Sequence, residues 1–153
     1  MTQLIKNAFL CLFFFALSGS ALADQQSTAE EVSTLVKKAV VYLNKSGRDK
    51  MLVAASDPKG GFVERDIYLS VYDLNGKVLA HGSNPKLIGV NVTDLRDVNN
   101  KYFIKEILSI AGTANRGWVD YKWVDPATGT LRDKTVYLEK AGDLIIAAGY
   151  YKK

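Results

Sequence analysis

The chain has 153 residues, 48% apolar and 24% charged, the proportions of one ordinary globular domain rather than of a disordered, collagen-like or coiled-coil sequence. Twenty Lys and Arg stand against 16 Asp and Glu, a formal charge of +4. That excess is small and nowhere gathered into a basic run, so nucleic acid is not an expected partner. A lone cysteine, Cys11, and a lone histidine, His81, leave no disulfide framework and no multi-histidine metal site, and no cofactor is expected.

Residues 1–7 carry one charge, Lys6, and residues 8–17 are an unbroken apolar run. Residues 18–23 are small and end Ala21-Leu22-Ala23. This order reads as a secretory signal cleaved after Ala23. The apolar run falls well short of the about 20 residues that span a bilayer. Leu10 precedes Cys11 where a lipoprotein signal would carry a small residue. Residues 24–153 are therefore expected as a single exported domain without a thiol, and the lack of disulfides suggests the periplasm.

Ser27 and Thr28 each stand three residues before a glutamate, Glu30 and Glu31, giving two overlapping capping boxes. Val32, Leu35, Val36, Ala39, Val40 and Leu43 then form a helical apolar stripe that Gly47 stops. The stripe could pack on a sheet, or pair with a second copy of itself in a homodimer. Residues 49–55 read as a second helical piece, broken by Asp57-Pro58-Lys59-Gly60-Gly61. Ile67, Leu69 and Val71 alternate with Tyr68, Ser70 and Tyr72 as a strand. Asn75-Gly76 before residues 77–81 predicts a hairpin with a type I′ turn. Residues 82–100 form a long aperiodic loop of the kind that is usually functional. Residues 100–111 read as a helix ended by Gly112, and residues 117–124, 131–140 and 144–151 as three further strands. Five strands joined by hairpins, with one helical crossover, predict an α+β fold: a five-stranded antiparallel sheet with a long N-terminal helix and a crossover helix packed on it.

The residues that carry a resemblance are the run from Val71 through Asp73-Leu74-Asn75-Gly76 to His81, then Asn84-Pro85-Lys86-Leu87-Ile88-Gly89 and Lys101-Tyr102-Phe103. The densest stretch is Gly117-Trp118-Val119-Asp120-Tyr121-Lys122-Trp123, with Pro126, Thr128-Gly129, Lys134 and Tyr137, followed by residues 142–151. In this order they resemble a single Cache domain, a PAS-like extracellular sensor of bacterial receptors, over residues 28–151. The resemblance implies reversible binding of a small ligand, often a short organic acid, and a signal passed to a kinase or chemoreceptor. The chain ends two residues after the last strand, so the expectation is a sensor acting in trans on a membrane receptor or kinase. His81 is followed by Gly82 where the family often has proline, and the last strand lacks a tryptophan common there.

A buried carboxylate needs a cation and several donors. Lys134, mid-strand, supplies the cation or else faces solvent. His81, Tyr121 and Tyr68 supply donors, and Trp118 or Trp123 an apolar wall, with Tyr137 completing the set; each is alternatively a packing residue. The loop at 82–100 would be the lid, and binding would depend on pH near the His81 pKa. Enzyme patterns are missing: Gly82-Ser83-Asn84 is no nucleophile elbow, Gly60-Gly61 has no P-loop lysine after it, and Glu64/Asp66 and Asp94/Asp97 suit turns and helix starts. The competing reading is an interaction module whose pocket is filled by its own aromatics and which docks on a membrane sensor.

Overall fold

Thr28 opens the first helix. Its hydroxyl accepts from the Glu31 amide while the Glu31 carboxylate accepts from the Thr28 amide, the reciprocal cap that the sequence offers at this position. The Ser27 alternative does not form; that hydroxyl donates to Asp66. The computed structural model describes residues 27–152, and the expected signal, residues 1–23, lies outside them. Helix α1 (Ala29–Ser46) ends at Gly47, whose φ of 86° lets the chain turn directly into α2 (Arg48–Ser56). The stripe residues Val32, Leu35, Val36 and Ala39 are buried against the outer face of the sheet, chiefly β5 (Leu131–Ala141) and β6 (Leu144–Tyr151).

The sheet is antiparallel and has six strands, in the order β1-β2-β6-β5-β4 with β3 beside β2. The strands before α3 are β1 (Val63–Glu64), β2 (Ile67–Asp73) and β3 (Val78–His81); β4 (Arg116–Val124) follows it. β1 is the strand that sequence patterning did not assign, because two residues are too short to show a period. The hairpin at Asn75-Gly76 forms, but not as a type I′ turn: only Gly76 has positive φ, 79°. The Asp73 carboxylate accepts from the amides of Asn75 and Lys77, and the Gly76 amide donates to the Asp73 carbonyl. The result is a three-residue loop with a left-handed glycine at its end. Helix α3 (Phe103–Thr113) starts three residues later than expected and runs through Gly112. The chain leaves the helix through Asn115, left-handed at φ 62°, rather than at Gly112.

Both faces of the sheet are covered. Ile67, Leu69, Val71, Leu144 and Ile146 face α1 and α2. Tyr72, Val119, Val136, Leu138, Ile145 and Ala147 face α3 through Phe103, Ile104, Ile107 and Ala111. Two-sided burial explains why β2 and β6 are buried at nearly every position.

The segment between β3 and α3 crosses the inner face as a strap. At one end it pairs with β3: the Val78 amide donates to Val90 O (2.9 Å), Gly89 to Val78 O (2.8 Å) and Val92 to Gly76 O (2.9 Å). At the other, the Asp97 carboxylate accepts from the Lys122 amide of β4 (3.1 Å), and the Lys101 ammonium donates to Asp120 O (2.6 Å).

Candidate functional site

Alternation along the strands decides which side chains meet under the strap. β2 sends Tyr68, Ser70 and Tyr72 inward, β4 sends Tyr121 and Trp123, and β5 sends Lys134. His81, at the end of β3, closes one side, and Leu87, Val92 and Leu95 of the strap form the roof with Phe103 and Ile104. They enclose a cavity of about 40 Å³, room for about three water-sized groups. One end is polar and the other apolar.

Lys134 is 4% exposed. Its ammonium donates to the Tyr68 hydroxyl at 2.8 Å and reaches the Tyr151 hydroxyl at 3.5 Å. It lies 4.5 and 4.8 Å from the centroids of those two rings, so phenol faces and oxygens solvate it in place of water. Among the described residues no carboxylate approaches it within 4.0 Å; the ion pairs there all involve other cations. Gly149 makes this placement possible, since a Cβ there would stand 2.9 Å from Lys134 Cε. Burial raises the Tyr68 pKa, but the charge and hydrogen bond of Lys134 outweigh it and hold the phenol below its usual range. Burial pushes Tyr72 up to about 12 and Tyr121 well up, so both remain neutral donors at any physiological pH.

His81 is 8% exposed. Its Nδ1 accepts from the Asn84 amide (3.0 Å) and the Ser83 amide (3.3 Å). The neutral ring therefore carries its proton on Nε2. Burial, and then the Lys134 charge, push its pKa down to about 4 from 6.5. The pH dependence expected near neutrality thus moves into acid. A histidine with a depressed folded pKa stabilises the fold above 6.5 and loses that contribution as pH falls toward 4. The loss amounts to about 3 kcal/mol at 1.36 kcal/mol per pH unit. Urea unfolding at pH 7 and pH 4 should show a drop larger by that amount in the wild type than in His81→Gln. Equal drops would mean that His81 accepts a proton freely in the folded state.

Of the residues singled out in the sequence, Lys134, His81, Tyr68, Tyr121 and Trp123 are brought together around the cavity. Trp118 and Tyr137 are not. They are direct cross-strand partners on β4 and β5, one residue out of phase with Tyr121 and Lys134, and so lie on the outer face. Their rings pack 4.9 Å apart, Tyr137 donates to Glu139, and Trp118 is 40% exposed. Ser70 and Tyr72, which the sequence places on one strand face with Tyr68, also line the cavity, while Tyr151 and Phe103 were not expected at the site. Tyr151 is the register partner of Lys134, and Phe103 stacks on Tyr121 at 3.9 Å with the rings 6° from parallel. Strand parity groups Ser70 and Tyr72 with Tyr68, whereas the place of Phe103 needs the crossover geometry. Among the described residues no cluster of three His, Cys, Asp or Glu could hold a metal ion, and no helix is long and apolar enough to cross a membrane.

The model of the family described as single Cache domain 2 matches residues 21–152. The chain is 30% identical over 90 residues to the methyl-accepting chemotaxis protein McpP of Pseudomonas putida, covering 58% of this chain and 16% of that protein. It is 34% identical over 74 residues to the sensor histidine kinase MctS of Rhizobium johnstonii, covering 48% and 16%. The matched stretch is thus about a sixth of each curated relative's length. Among solved structures it superimposes on a Cache chemosensory domain studied for carboxylic acid recognition, with a TM-score of 0.71 at 20% identity over 81% of this chain and 92% of the other. A methyl-accepting chemotaxis protein from Vibrio parahaemolyticus gives 0.67 at 21% identity over 80% and 86%. At these identities the likeness is one of PAS-like fold.

Proposed function

The chain belongs to the single Cache domain 2 family, and from that premise we propose that it is a non-catalytic sensor module binding a small monocarboxylate beside Lys134. The observation that carries this reading is a buried ammonium, facing a cavity, with no carboxylate beside it among the described residues. An unpaired buried charge is costly, and an anion that enters offsets the cost. The carboxylate would take the Lys134 ammonium and the Tyr68 hydroxyl, with His81 Nε2–H as a further donor. Phe103, Ile104 and the strap leucines would hold the alkyl end. The carboxylic acid recognition studied in a structural neighbour, and the sensor proteins among the relatives, support the same reading.

Room for about three water-sized groups favours acetate, propionate, pyruvate or lactate over longer acids. No Asp or Glu lines the cavity, so an α-ammonium would find no partner there and amino acids should be excluded. Melting curves with millimolar acids test this. A ligand at 100 times its Kd adds about 2.7 kcal/mol by mass action, so at least one short acid should raise the midpoint by several degrees while alanine gives none. No response to any acid would sink the binding reading and favour the interaction module.

The remaining parts of the reading follow from residues outside the cavity. The domain at 24–153 would be released to the periplasm after cleavage at Ala23 and act in trans on a membrane receptor or kinase. Since the α1 stripe is spent on the sheet, a homodimer through α1 would use its outer side, where Val41 is 66% exposed.

A further inference from the structure

The two ends of the strap are built differently. At β3 it is held by backbone pairing, reinforced where Asn91 Nδ2 and Thr93 Oγ1 both donate to Asn75 O. At β4, among the described residues, no backbone-to-backbone bond joins it to the strand. It is held there by two side chains, the Asp97 carboxylate on the Lys122 amide and the Lys101 ammonium on the Asp120 carbonyl. Such bonds exchange readily for water, whereas a ladder must break cooperatively.

A second void lies along this weaker end, a polar cleft of about 240 Å³ bordered by Asp97, Lys101, Lys122 and Lys152. Tyr121 and Lys134 line both the cleft and the buried cavity. These two residues are all that the two linings share, so the partition between cleft and cavity lies at them. The partition leans on the strap, because Phe103, two residues past Lys101, is stacked on Tyr121. Three ammonium groups edge the cleft, each already paired with a carboxylate and able to exchange it for a passing anion.

We propose that Asp97 is the releasable tie of the strap, and that small anions reach Lys134 through the cleft at the β4 edge when that tie lets go. The β3 end acts as the hinge. As a route to a carboxylate site, this rests on the binding reading above; as a gate, it has a test of its own.

The chain has two tryptophans, one in the cavity wall and one on the outer face. In a Trp118→Phe background, Trp123 fluorescence reports the cavity, and iodide serves as an anionic quencher. Asp97→Ala should raise the iodide quenching constant several-fold and Lys101→Met should raise it less. Asp97→Asn, which keeps an acceptor, should fall between wild type and alanine. Asn91→Ala, which loosens the β3 end, should leave it unchanged. Circular dichroism melts establish that each variant is folded, and amide exchange at Lys122 in the unmutated protein should outpace that at Gly89 and Val78. Equal quenching in Asp97→Ala and its parent, or an equal rise in Asn91→Ala, overturns the gate. Should acetate raise the melting midpoint while Asp97→Ala leaves iodide access unchanged, the gate is wrong and the binding site stands. Should no acid act while Asp97→Ala opens Trp123 to iodide, the binding reading is wrong and the gate stands.

Discussion

Lys134→Met should abolish the melting shift given by short carboxylates and, at the same time, raise the melting temperature of the ligand-free protein. The lysine is buried with two phenols for company and no carboxylate within reach among the described residues. Exchanging a buried charge for an apolar chain of similar volume is commonly neutral or stabilising by about 1–4 kcal/mol. Here the gain should be about 1 kcal/mol, because the Tyr68 hydroxyl loses its donor. Tyr151 is buffered against the change, since its hydroxyl also donates to Val124 O. Lys134→Ala should lose the ligand response as well and remain folded. A response of wild-type size in either variant would remove Lys134 from the site. Stability given up at one buried position for the sake of an anion is the trade expected of a binding residue rather than of a core residue.

Gly149→Ala should be among the most damaging small substitutions in the molecule. A Cβ at this position would stand 2.6 Å from Val136 Cγ2, 2.8 Å from the Thr135 carbonyl oxygen and 2.9 Å from Lys134 Cε. The valine and lysine could shift, but the carbonyl belongs to β5 and is held in register along the whole length of β6. The expected loss is about 3 kcal/mol, at the upper end for overpacking of a core, read as a lower urea midpoint at unchanged slope. Adding Lys134→Ala should recover only part of it, since the collision with the backbone remains. A loss under about 1 kcal/mol would mean that β5 and β6 slide apart more easily than an interior sheet should.

The architecture was legible because its signals are local. The α1 stripe, the alternation in β2 and the turn residues between the last three strands each fix an element within a short window, and their order leaves few topologies. β1 escaped because two residues carry no period, and the turn at Asn75-Gly76 was misjudged because the Asp73 side chain captures two amides and rewrites the hairpin. The lining of the candidate cavity was half legible. Lys134 stood out as a cation in mid-strand, and Tyr121 and Trp123 share a parity that points them the same way. Trp118 and Tyr137 share a parity too, but which face of a doubly covered sheet holds a cavity is settled by α3 and the strap, not by the strand. The packing of Phe103 on Tyr121 joins residues from a helix start and a strand, and no spacing within either one announces it.

The strap also changes how the molecule meets its neighbours. A sheet ordinarily ends in a row of bare amides and carbonyls on which a foreign strand can template. Here one margin is taken up by residues 89–92, and the opposite margin is interrupted by Asp97 and Lys101. The outermost piece beyond β2 is only two residues long. A protein sealed in this way should stay dispersed at high concentration, and cutting the strap should seed fibrils before it unfolds the core.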